Sequence, residues 1–176
     1  MIRSLDGKWP KVHPTAFVSE DAYVVGDVEI GEGSSVWPGA VVRADSGKIT
    51  IGKQTCIQDG SAVHGDQDVV IGDRVVVGNR VLCHGRKVCD RVFLEDGAIV
   101  NDGVILGEDS VVVSGAVLIE NMDVAPGSVV EGVPGRVRGE VDEDHRERAR
   151  SAADDYAERA QRHRREDGPG SPPPGV

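Results

Sequence analysis

The stretch Val88–Val130, VCDRVFLEDGAIVNDGVILGEDSVVVSGAVLIENMDVAPGSVV, places an aliphatic residue at every sixth position: Val88, Leu94, Val100, Leu106, Val112, Leu118, Val124 and Val130. A period of six fits neither an α-helix, at about 3.6, nor a plain strand, at about 2. It fits a short strand and a tight turn, repeated. Three such units close a triangular coil of about 18 residues, the hexapeptide β-helix. Each aliphatic rung then points inward and stacks on the rung one coil away, about 4.8 Å distant.

The same period extends upstream through Val18, Val24, Ile30, Val36 and Val42, then Ile51, Ile57 and Val63, then Ile71, Val77 and Cys83. Three slips interrupt it: three extra residues between Val42 and Ile51, two between Val63 and Ile71, and one residue too few before Val88. The nineteen rungs predict an all-β chain, a parallel β-helix of about six triangular coils. Composition agrees, with 30 Val and 9 Ile against 5 Leu, and 23 Gly for the turns. β-Branched side chains are stiff at χ1 and suit strands better than helices.

From about residue 140 the pattern changes. Acids come first (Glu140, Asp142, Glu143, Asp144, Glu147) and arginines last (Arg159, Arg162, Arg164, Arg165), an order that complements a helix dipole. Ala149, Ala152, Ala153, Tyr156, Ala157 and Ala160 form an apolar stripe at helical spacing. The chain therefore divides into a β-helix domain over 1–139, a C-terminal α-helix over 140–166 packed on the prism, and a Pro/Gly-rich tail over 167–176 expected to be disordered.

The net charge of −10 argues against a nucleic-acid partner, and 3% aromatic residues give no base-stacking platform. No apolar run is long enough to span a membrane, the acidic balance disfavours anionic lipid, and the N-terminus lacks a signal-peptide apolar region. Cys56, Cys83 and Cys89 fit neither a disulfide framework nor a CxxC site. Cytoplasmic localisation is the expectation.

With the three faces labelled a, b and c in order from Val18, face b takes Val42, Val63 and Cys83. Each is followed by a polar residue, Arg43, His64 and His84, so these three stack in one column. Two histidines one coil apart can share a metal ion at about 2.0–2.1 Å per bond. Two of only five histidines falling on one column favours such a role over ordinary surface placement. Both frame slips that add residues begin in this column, and loops leaving a rigid scaffold tend to carry function. Arg43 and Asp45 are as readily a structural ion pair as a site pair. Gln58 and Asp59, behind the face a rung Ile57, read alone as turn residues. Asn79 lies five residues before His84, about 16 Å along a strand, and can meet the histidine column only from a neighbouring subunit.

Residues 26–45 (GDVEIGEGSSVWPGAVVRAD), 51–64 (IGKQTCIQDGSAVH) and 71–85 (IGDRVVVGNRVLCHG) resemble the γ-class carbonic anhydrase-like hexapeptide proteins, and 124–141 (VAPGSVVEGVPGRVRGEV) resembles that family's closing coil. The resemblance implies a left-handed β-helix and a homotrimer with metal sites between subunits. In the family three histidines hold Zn²⁺, or Fe²⁺ or Co²⁺, two from one subunit and one from its neighbour. His64 and His84 match the first two; the position of the neighbour's ligand is here Asn79. Arg43 and Asp45 match an Arg-x-Asp pair that ties subunits together, and Gln58 with Asp59 matches a Gln-Asp whose Gln positions the metal-bound water. The implied reaction is reversible hydration of CO₂ to bicarbonate by a metal-bound hydroxide, weakened by the amide at position 79. Two other classes compete: a trimeric scaffold or binding protein of the same family without catalysis, and a hexapeptide acyltransferase using acetyl-CoA.

Overall fold

The computed structural model describes residues 1–166; the tail expectation for 167–176 lies outside them. Face a is a ladder of seven parallel strands, Phe17–Val18, Ser35–Val36, Cys56–Ile57, Val76–Val77, Phe93–Leu94, Val111–Val112 and Ser128–Glu131. Faces b and c merge into one sheet, because Tyr23–Ile30 and Val41–Ile51 run around the corner between them without a break. Rung stands opposite rung throughout face b: Val42 pairs with Val63, Val63 with Cys83 and Cys83 with Val100.

There are about seven coils rather than six. Ile2–Arg3 pairs with Val24–Val25 on face b, and Lys11–Val12 pairs with Glu29–Ile30 on face c. These N-terminal strands supply the first coil's second and third sides, ahead of the rung at Val18. The interior is a single column of Val, Ile, Leu and small residues, and Val42, Val63, Val77, Leu94, Leu106 and Leu118 have no exposed surface. Burying a Val, Leu or Ile side chain contributes roughly 1.5–3 kcal/mol, repeated at every rung.

The extra residues stay at the b–c corner. The strand Val41–Ile51 absorbs its three by bulging, so that pairing with the preceding coil shifts register between Gly26 and Val28. Gly26 sits at φ +85°, and a Cβ there would stand 2.3 Å from the Ala44 carbonyl oxygen, so only glycine fits the bulge. Residues 65–68 leave the corner one coil on. Gly47 lies directly against the Gln67 backbone, and the Lys48 N–H donates to Asp68 Oδ1 at 2.8 Å. The two insertions thus stack as the rungs do.

The helix covers Glu143–Glu166 and starts later than its acidic composition predicts. Arg136–Glu140 instead forms an antiparallel strand against Ser128–Glu131 and ends the ladder with an exposed edge bearing Arg136, Arg138 and Glu140. Charged edges of this kind resist strand addition. Asp142 then caps the helix, its Oδ1 accepting the His145 N–H at 3.0 Å. The helix lies on the outward side of face a. Ala160 and Tyr156 pack on Phe17 and Trp37, Ala153 packs on Cys56 and Val76, and Trp37 meets Tyr156 edge-on at 5.1 Å. No helix among the described residues is long and apolar enough to cross a membrane.

Candidate metal site at a coil corner

The b–c corner carries the column predicted from the repeat. Arg43 stands opposite His64 in the ladder, and His84 directly follows Cys83, the partner of Val63. The inward turn of each rung leaves the next side chain pointing out at the corner, so three rungs in register deliver three polar groups in line.

The two imidazoles converge. Their Nε2 atoms are 2.6 Å apart and their ring centroids 3.7 Å. His84 Nδ1 lies 2.9 Å from Asp102 Oδ1. A carboxylate can only accept there, so His84 carries its proton on Nδ1 and turns the lone pair of Nε2 towards His64. His64 is held below the ordinary histidine value of 6.5, first by burial, then by the adjacent His84 and the Arg43 guanidinium, with Asp45 and Asp102 opposing. His64 is therefore biased towards the neutral form that ligates metals. Arg43 and Asp45, both partly exposed, form an ion pair two residues apart at the edge of this pair.

The other predicted residues occupy the opposite edge of face b. Gln58, Asp59 and Asn79 sit at the a–b corner, where Gln58 donates its backbone N–H to Val77 O. The Gln58 side chain is 5% exposed and reaches Cys56 Sγ at 3.8 Å. Burial pushes the Cys56 thiol up to about 12, so it is an inert core group. Asn79 donates both its backbone N–H and its Nδ2 to Asp96 Oδ1, at 2.8 and 3.1 Å. One chain thus brings Arg43, Asp45, His64 and His84 together and leaves Gln58, Asp59 and Asn79 one face-width away. Among the described residues no three of His, Cys, Asp and Glu gather as a cation site.

Two residues with site contacts escaped the sequence reading: Asp102 behind His84, and Asp96 behind Asn79. The signal was there, since each lies one coil further along, 18 and 17 residues on.

The class this defines is a hexapeptide-repeat β-helix protein with a histidine pair on one corner. Gamma carbonic anhydrase 1, mitochondrial, of Arabidopsis thaliana is 35% identical over 164 residues, covering 89% of this chain and 60% of that protein. The chain thus spans about 60% of that relative's length. A protein of Methanocaldococcus jannaschii described as "Probable carbonic anhydrase" is 39% identical over 129 residues, with 72% of this chain and 81% of that protein covered. The structure of a hexapeptide transferase family protein from Anaplasma phagocytophilum superposes with a TM-score of 0.88 at 31% identity, covering 92% of this chain and 97% of the other. No protein-family model matches the chain. The chain belongs to the γ-class carbonic anhydrase-like family of hexapeptide-repeat proteins.

Proposed function

We propose that this protein hydrates CO₂ reversibly as a homotrimer, at sites between subunits, each holding a divalent ion on His64 and His84 of one subunit and Asn79 of the next. Zn²⁺ is the favoured ion, with Fe²⁺ and Co²⁺ as alternatives. The observation that carries the reading is the convergence of His64 and His84 through Nε2 at 2.6 Å, with Asp102 behind His84. Carboxylate–imidazole pairs of this form orient metal-ligating histidines.

The donor set fits a borderline divalent ion. Two imidazoles share a focus, and a third donor has to come from another copy, because Asn79 lies across face b. When bound, the ion supplies a water whose pKa falls towards about 7. The chain's own residues do the rest. Asp102 fixes the His84 tautomer. Burial, His84 and Arg43, in that order, hold His64 below the ordinary histidine value, and the pairing of Arg43 with Asp45 extends across the subunit boundary in the trimer. Gln58 and Asp59, carried on the same corner as Asn79, approach the neighbour's histidines, where Gln58 orients the attacking water. An amide oxygen is a weaker ligand than imidazole, so affinity and turnover fall below those of a three-histidine site.

Metal content of protein purified without chelators, together with stopped-flow CO₂ hydration, tests the reading. Asn79→His is expected to raise both. A monomer at micromolar concentration, or hydration unaffected by His64→Ala, would overturn it. A second reading is supported by the likeness to a hexapeptide transferase family structure: acyl transfer from acetyl-CoA. Saturable acetyl-CoA binding by a protein whose zinc content does not depend on His64 would favour that reading.

A further inference from the structure

Four aspartates join successive coils in one way. Asp68, Asp73, Asp90 and Asp96 each turn Oδ1 onto a backbone N–H of the preceding coil, at Lys48, Lys53, Asp73 and Asn79, over 2.8, 2.7, 2.9 and 2.8 Å. At Asp96 the same oxygen takes a second hydrogen bond, from Asn79 Nδ2 at 3.1 Å. The backbone bond is shared by all four and belongs to the fold. The side-chain bond is an addition, and it acts on Asn79 alone.

Its direction is fixed by charge. Turning the Asn79 amide over would set Oδ1 against Asp96 Oδ1, two acceptors with no proton between them. Ionised Asp96 therefore holds Nδ2 towards itself and Oδ1 away. Among the described residues Asn79 Oδ1 has no hydrogen-bond partner, so it is a free acceptor on the corner that faces a neighbouring subunit in the proposed trimer.

We propose that Asp96 is a positioning residue for the metal site. It presents Asn79 as an oxygen ligand and, through the Nδ2–H···Oδ1 bond, polarises the amide so that its oxygen binds a divalent cation more strongly. The inference rests on the interface site proposed above. It makes the two edges of face b alike: Asp102 backs His84 from one coil on, and Asp96 backs Asn79 from one coil on. A carboxylate behind a ligand typically carries about 10–100-fold in metal affinity.

Zinc calorimetry on the full-length protein, with metal-free melting temperatures alongside, tests this in a double-mutant cycle of Asp96→Ala and Asn79→Ala. Asp96→Ala is expected to weaken zinc binding about 10–100-fold in the parent, and to weaken it no further once Asn79→Ala is in place. Asp96→Asn keeps an acceptor for the Asn79 backbone N–H but gives up the charge, and is expected to show a smaller loss. It replaces the alanine variant in the cycle if that variant does not fold. The proposal is overturned if a folded Asp96 variant binds zinc like the parent. It is overturned equally if the loss is as large in the Asn79→Ala background, which would make Asp96 itself a ligand. His64→Ala separates the two layers. If it leaves zinc binding intact, the interface site is wrong; if it abolishes binding while the Asp96 variants are silent, only the positioning role is wrong.

Discussion

The two halves of the solenoid use the same rungs and differ in what the turns carry. From Val88 to Val130 the six-residue period is unbroken, and at the b–c corner the column continues as Asn101 and Ile119. Asn101 spends its Nδ2 on the Leu118 carbonyl at 2.6 Å, and Ile119 is exposed. From Val41 to Gly85 the period is broken twice, and both breaks open at the corner holding Arg43, His64 and His84. The interior is equally dry in both halves, with Val63, Cys83, Leu94 and Leu106 all without exposed surface. Stability thus comes from the regular repeat, and the histidine pair sits where the repeat is interrupted at a corner, which leaves the core untouched.

That division can be broken most forcefully from the regular half. Leu106→Ala is expected to cost about 2–5 kcal/mol, measured by chemical denaturation, with zinc affinity of the folded fraction unchanged. A cost below about 1 kcal/mol would mean that the interior is not close-packed at the rungs. The interrupted half should respond in the opposite sense. Asp102→Ala removes the acceptor behind His84 Nδ1 and is expected to weaken zinc binding about 10–100-fold with little change in melting temperature. If it destabilises the fold as Leu106→Ala does, the corner is structural and the contrast fails.

The smallest effect concerns protons. His64 has its pKa lowered from 6.5 by burial, His84 and Arg43, in that order. The folded protein therefore resists protonation at His64 while the unfolded chain accepts it. This group costs no stability above pH 6.5 and progressively more as pH falls below it. An imidazole titration of the metal-free protein by NMR should place the His64 midpoint below 6.5, and Arg43→Ala should move it upward. A midpoint at or above 6.5 would mean that burial, His84 and Arg43 do not together disfavour the charged form.

Most of the solenoid was legible because a six-residue period has no other physical reading. Ile2–Arg3 was not, because the Leu5–Lys8 turn separates it from Val12 and breaks the period ahead of the first rung. Arg136–Glu140 was missed because its exposed, charged residues resemble the helix that follows. At the site, counting rungs was enough to align Arg43, His64 and His84, since register within a β-helix is fixed by stacking. Asp96 and Asp102 lie one coil beyond Asn79 and His84, a spacing visible in sequence, but the coil-to-coil hydrogen bonds are what single them out among the turn acids. Gln58, which reads alone as a turn residue, is buried and reaches Cys56 Sγ, a contact that the six-residue pattern does not encode.

The most direct test of the account is an equilibrium zinc titration of the assembled protein, parent against His64→Ala, with the mass of the assembly followed by analytical ultracentrifugation. The expected result is a trimer that binds zinc at one site per subunit interface, and a His64→Ala protein of the same mass and closely similar stability that has lost those sites. A His64→Ala protein that takes up as much zinc as the parent, with the same affinity, would contradict it.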